Sequence, residues 1–437
     1  MRRSERSRPG AAGQRDGARK GRPAARARLA GSLCCFVALL LTACGSAAAT
    51  HTAAPAASAL VASTTTTAPG GCAATVASTL GEVGERIYRE AAAGGDVEQA
   101  THRVESSAAL QNAISSGDAA AADAALRSLL LNQIVRVEVL QRGHVFAAAG
   151  SGAAIAPVSG PIPGTSSEFV LSVQADHSYL QVAQQVTGAQ VLLLAGDRGL
   201  GGTIAGLAPA SVPSSGPLSL AGKSYEVFSL TGAVYPSGPL RVAMLVPSTA
   251  VSCPGSAAQA RVETLGHVGE RIYDEERHSP DVSATVRHIE DSVSFQRAVA
   301  SGNVAATHAA IDGFFRAHIH VVRVRVTIGE RLLLDDGGPF VLAPVHGTVH
   351  SGGRVVGHFT MAIQDDAGYL KLTHLFTGAE VLMRTGGRQV MGTLSPGPVA
   401  VPARGEVSYA GRAYQAYSFT GEAFPSGPLR LSLLLPS

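Results

Sequence analysis

The strongest constraint on the fold is that the chain repeats itself. Tyr225 to Ser248 reads YEVFSLTGAVYPSGPLRVAMLVPS, and Tyr414 to Ser437 reads YQAYSFTGEAFPSGPLRLSLLLPS. Each holds an aromatic-rich apolar run, a PSGPLR turn and a second apolar run, which predicts a strand pair. Earlier landmarks recur in the same order. Leu80 opens LGEVGERIYRE and Leu265 opens LGHVGERIYDE. Ser116-Gly117-Asp118 matches Ser301-Gly302-Asn303, and Ala156-Pro157-Val158 matches Ala343-Pro344-Val345. Tyr179-Leu180 and Tyr369-Leu370 are followed by Thr187-Gly188-Ala189 and Thr377-Gly378-Ala379. The period is roughly 185–190 residues, whereas solenoid repeats run about 20–50. Two copies of one module are therefore expected, at 72–250 and 251–437.

Each module opens with helical periodicity. Leu80, Val83, Ile87 and Ala91 share one face. Asp96 is expected to cap a second helix, with Gln99 three residues on; Asp281 repeats the cap. Gly117 and Gly302 end that segment, and an Ala- and Leu-rich helix follows. The period then changes to two. Val135-Arg136-Val137-Glu138-Val139 and Val322-Arg323-Val324-Arg325-Val326 alternate as half-buried strands do. Gly143 and Gly329 predict hairpins. Later strands, and a short helix at 179–186, complete an α+β module: a helical lead-in, then one antiparallel sheet of five or six strands.

Charge narrows the function. The formal net charge is +3, yet residues 1–28 hold ten of the 35 Lys+Arg and two of the 32 Asp+Glu. The rest of the chain carries 25 basic and 30 acidic residues, a net of −5. A nucleic-acid partner is not expected, because the electrostatic footprint is missing. The basic segment precedes Leu29–Leu41, an apolar run of about 13 residues, short of the roughly 20 that span a bilayer. That order reads as a signal peptide over 1–43. Leu41-Thr42-Ala43-Cys44-Gly45 resembles the bacterial lipobox, which implies lipidation of Cys44; an ordinary secretory signal or a short anchor are the alternatives. Residues 44–71, rich in Ala, Ser, Thr and Pro, read as a flexible tether. The expected location is the extracellular face of the cell membrane, held by lipid.

The order of helix, hairpin, loop with helix, and antiparallel strands resembles that of Cache domains, the PAS-like extracytoplasmic sensor modules of bacteria. The likeness is carried by VRVRVTIGERLLLDDGGPFVLAPV (322–345) and GRVVGHFTMAIQDD (353–366). The first module departs from it at Gly160-Pro161-Ile162-Pro163, which has no Val-Gly. The resemblance implies a small-molecule ligand and a non-enzymatic role. By position in the Cache arrangement, Arg323, Asp365, Tyr369 and Lys371 are the candidate ligand contacts of the second module. Tyr179 and Arg136 are their first-module counterparts. Ala175 and Gln181 replace Asp365 and Lys371, so the second module is the expected binder.

The remaining motifs argue against catalysis. There is no G-x-S-x-G, no H-E-x-x-H and no C-x-x-C. The histidines concentrated in the second module, including His318, His320, His346 and His350, have no metal-ligand spacing, and no metal or other cofactor is expected. Gly196 to Gly202 reads as a hairpin loop, and Asp176 and Asp366 as N-caps. Cys72 and Cys253 are expected to pair, since exported cysteines at matching positions are commonly bonded; free thiols or an intermolecular bond are the alternatives. Two functions stay open: a ligand-binding lipoprotein that signals to a membrane partner, or an envelope interaction protein without a pocket. They differ in whether the Ala343–Gly353 loop covers a cavity.

Overall fold

The computed structural model describes residues 71–437, apart from 131–133, 197, 205–211, 221, 251–254, 318–320, 339–340 and 425–426. The signal peptide, Cys44 and the tether up to residue 70 lie outside the described residues, as do Cys253, His318 and His320.

The chain opens with α1 (Cys72–Ala93). Its face of Val76, Leu80, Val83, Ile87 and Ala91 is buried, as the periodicity requires. Three shorter helices follow: α2 (Gly95–Glu105), α3 (Ala108–Ser116) and α4 (Ala119–Leu129). Side chains cap the last two: Ser107 accepts from the Leu110 amide and Asp118 from the Ala121 amide. Gly117 ends α3 in the left-handed region at φ 72°. Asp96 is not the cap of α2. The extended residue before the first turn is Gly94, which has no side chain to offer, and Asp96 sits inside the turn.

The strands are β1 (Arg136–Gln141), β2 (His144–Gly150), β3 (Ala154–Ile155), β4 (Val158–Pro161), β5 (Ser167–Ser172) and β6 (Gln174–Ala175). Then come α5 (Asp176–Thr187), β7 (Gln190–Ala195), β8 (Arg198–Gly202), β9 (Ser215–Leu220), β10 (Lys223–Tyr235) and β11 (Gly238–Pro247). They form two sheets where one was expected. The small sheet runs β2-β1-β5-β4; the large one runs β6-β3-β10-β11-β7-β8, with β9 also on β10. Alternation reveals strands but not their partners. The chain crosses from one sheet to the other at Ala156, between β3 and β4, with a left-handed φ of 52°. The glycine run is largely strand β8, paired with β7, not a loop.

The second half repeats this order. Its helices are α6 (Ala257–His278), α7 (Pro280–Glu290), α8 (Val293–Ala300) and α9 (Val304–Arg316). Ser279, not Asp281, caps α7, accepting from the Val282 amide. Strands β12 (Arg323–Ile328), β13 (Arg331–Gly337), β15 (Val345–Ser351) and β16 (Arg354–Ala362) form a sheet ordered β13-β12-β16-β15. The large sheet runs β14-β20-β21-β17-β18, built from β14 (Val341–Leu342), β17 (Glu380–Thr385), β18 (Arg388–Gly392), β20 (Arg412–Phe424) and β21 (Pro428–Pro436). β19 (Arg404–Tyr409) joins β20, and α10 (Asp366–Thr377) precedes β17. Asp365 caps α10, accepting from the Gly368 amide at 2.7 Å, while Asp366 is its first residue. Ala343 marks the same crossing, at φ 51°. The terminal motif forms the β10–β11 and β20–β21 hairpins, pairing Tyr225 with Pro247 and Tyr414 with Pro436.

Each small sheet has its own core under the short helices. The main core is different. It runs from α1, α5 and the first large sheet straight into α6, α10 and the second. The two halves therefore share one apolar interior.

Candidate functional site

The repeated GERIY segment makes this shared core. Its helices lie directly on the strands. A Cβ at Gly81 would fall 1.9 Å from Phe228, and one at Gly266 would fall 2.1 Å from Tyr417. Only glycine permits that approach. Tyr88 accepts from the Ala233 amide at 2.6 Å, and Tyr273 accepts from the Glu422 amide at 2.7 Å, pinning each helix to its own sheet.

The arginines reach across. Arg86 Nη1 donates to the Phe376 carbonyl at 3.1 Å, at the end of α10. Arg271 Nη1 donates to the Thr187 carbonyl at 2.9 Å, at the end of α5. Each guanidinium thus satisfies an orphan carbonyl and faces the negative end of a helix in the other half. Gln185 Nε2 adds a bond to Glu275 at 2.8 Å. Arg261 grips Glu82 with two bonds, at 3.0 and 2.6 Å.

The four expected ligand contacts have separate partners. Tyr369 is fully buried and donates to the Gly269 carbonyl at 2.9 Å; Tyr179 does the same to Gly84 at 3.2 Å. Burial raises both phenols well above the ordinary range. Asp365 is the α10 cap. Lys371 is exposed, two residues from Tyr369 and so roughly 200° around the helix from it. Arg323 bonds both oxygens of Asp335, at 2.8 and 2.9 Å, and its guanidinium lies 4.9 Å from the Phe424 ring centre. Its counterpart Arg136 pairs with Glu138, which accepts from Tyr235 at 2.7 Å. Both clusters tie a small sheet to a large one.

The Ala343–Gly353 segment is not a cover. It holds the edge strand β15, paired along β16. His308 lies between Asp312 and Asp336, at 3.4 and 3.3 Å, each acid on a different ring nitrogen. An imidazole so placed bridges two acids rather than directing one lone pair at a shared centre.

An open cleft of about 80 Å³ lies where the halves meet. Val76 and Leu80 of α1 form one wall, and Thr187, Gly188 and Val246 close the next. Glu263, His267 and Arg271 of α6 supply the polar side. His267 Nδ1 lies 2.9 Å from Glu270 and 3.0 Å from the Tyr417 hydroxyl, which itself donates to Glu270 at 2.7 Å. Burial works to raise the Glu270 carboxyl, but the His267 and Tyr417 bonds prevail and hold it below its usual range. Leu80, Thr187 and Gly188 stood out in the sequence only as landmarks of the repeat, not as cleft residues. The available signal was the departures between copies: Val76 against Arg261, Ser78 against Glu263, and Glu82 against His267.

No protein-family model and no curated protein matches the chain. Among solved structures, the periplasmic domain of Vibrio cholerae LuxQ aligns over 40% of this chain and 100% of its own, at 12% identity and a TM-score of 0.29. An extracellular ligand-binding receptor from Desulfohalobium retbaense aligns over 47% of each chain, at 10% identity and a TM-score of 0.27. No helix among the described residues is long and apolar enough to cross a membrane.

Proposed function

We propose that this is an exported, lipid-anchored, non-enzymatic protein that binds a small molecule between two copies of one Cache-like module, residues 72–250 and 251–437. Cys44 carries the lipid. Cys72, which is disulfide-bonded at the head of α1, pairs with Cys253 and clamps the copies together. The cleft carries the reading. Its walls come from both halves, so a ligand there touches α1, the end of α5 and α6 at once. Occupancy is thereby linked to how the copies sit against each other, which suits delivery of a signal to a membrane partner.

Arg323, Asp365, Tyr369 and Lys371 are the rival contact set, and Lys371→Ala separates the two locations. The second reading is an envelope interaction protein. It is favoured by β15 lying in the sheet as an edge strand, beside the exposed Val355 of β16. A thermal-shift screen against amino acids, organic acids, amines, nucleosides and divalent metals tests the choice. A ligand at a hundred times its Kd stabilises by about 2.7 kcal/mol, a Tm rise of a few degrees. A hit that survives Lys371→Ala supports the cleft. A flat screen favours the interaction protein.

A further inference from the structure

We propose that the open face of the second small sheet binds a divalent transition-metal ion, copper(II) most tightly, through His358 of β16 and the flanking His346 and His350 of β15.

The histidines concentrated in the second half are not spaced as ligands along the chain. Strand pairing brings three of them together. β15 and β16 are antiparallel, with His346 opposite Thr360 and Thr348 opposite His358. His346, Thr348 and His350 alternate along β15, so they share a face with His358. Val349 and Phe359 point the other way, into the core under the short helices. His346, His350 and His358 are all exposed. His358 therefore stands between the two histidines of β15, diagonal to each.

The spacing suits chelation. The Thr348 amide donates to Glu290 Oε1 at 3.0 Å, away from β16, which makes Thr348–His358 a pair without ladder bonds. In such pairs the strands approach most closely, about 4.5 Å between Cα atoms. Diagonal neighbours then lie about 7–8 Å apart, within reach of long side chains. Two imidazoles on one ion bring their nitrogens to about 2.0–2.1 Å from the metal and roughly 3 Å from each other. His346 is also oriented. Its Nδ1 lies 3.1 Å from Thr360 Oγ1, so Nδ1–H donates there when Nε2 holds the metal. The neighbouring cation Arg325 is already paired with Asp335 at 2.7 Å. In the first half, Ser159 and Glu168 take the places of His346 and His358. Imidazole donors suit copper, nickel and zinc, whereas magnesium prefers oxygen. The site is separate from the cleft, to which neither β15 nor β16 contributes.

The test is calorimetric titration of the purified full chain in detergent, without a polyhistidine tag, with copper(II), nickel, zinc and magnesium chlorides. Copper should bind most tightly, nickel and zinc more weakly, and magnesium not at all. Loss of a partner that merely orients a ligand costs about 10–100-fold in metal affinity, so His358→Gln should cost at least that. His346→Gln and His350→Gln each leave one diagonal and should weaken binding less; the two together should match His358→Gln. Thr348→His sets an imidazole directly opposite His358 and should tighten copper about tenfold or more. His308→Gln and Val76→Arg should leave affinity unchanged. Copper affinity untouched by His358→Gln overturns the site. So does its loss in His308→Gln, which would move the ion to Asp312 and Asp336. A metal that raises the Tm in the broad screen and loses that effect in His358→Gln belongs to this face and not to the cleft.

Discussion

Replacing Glu276 by Gln should stabilise the protein in a strongly pH-dependent way. Glu276 lies near the end of α6, is 4% exposed and stands where the first half has the buried Ala91. Burial, reinforced by Glu275 beside it, pushes its carboxyl from 4.5 up to about 8. In the unfolded chain the group ionises near 4.5; in the folded chain it stays neutral until about 8. The folded pKa lies above the unfolded one, so this group's contribution is whole below pH 4.5 and is lost as pH rises through 8. At pH 5 the loss is about 1 kcal/mol, and by pH 7 it is about 3 kcal/mol. Gln keeps the volume and cannot ionise. Urea unfolding of both proteins from pH 5 to 8 isolates the effect, because every other titrating group cancels in the difference. The gap should be small at pH 5 and widen to a few kcal/mol by pH 7.5. Parallel stability curves would mean that Glu276 ionises freely in the folded state and that α6 is not sealed there.

Four further outcomes are expected. Gly81→Ala and Gly266→Ala force a methyl into Phe228 and Tyr417, and each should cost about 1–3 kcal/mol or more in urea unfolding. Tyr369→Phe removes the bond to Gly269 and should cost about 1 kcal/mol, whereas Tyr369→Ala should cost about 3–5 kcal/mol by emptying the shared core. Cys72→Ser should lower stability by about 2–4 kcal/mol and expose one new thiol to titration, and Cys44→Ala should move the expressed protein from the detergent phase to the aqueous phase.

Local features were legible in the sequence. The face through Leu80, Val83, Ile87 and Ala91 is buried, and alternation around Val137 and Val324 lies in β1 and β12. These follow from residues a few positions apart. The two-sheet arrangement was not legible, because alternation does not name a strand's partner and the crossing is made by a single left-handed alanine. Caps were displaced by one or two residues wherever a neighbour held the extended backbone, as Asp365 does ahead of Asp366. The GERIY motif read as the start of a helix, yet its arginine acts on Phe376, 290 residues away. Contacts that distant leave no periodic trace. The candidate cleft is visible only as differences between the copies, since likeness marks what both halves need to fold and difference marks where one of them is open.

The most direct measurement is native mass spectrometry of the protein saturated with an organic ligand found by the screen. A single cleft between the halves, with Val76 in its wall, leads to one ligand per chain and to loss of binding in Val76→Arg. Two ligands per chain, or one that persists in Val76→Arg, would contradict a single site between the halves.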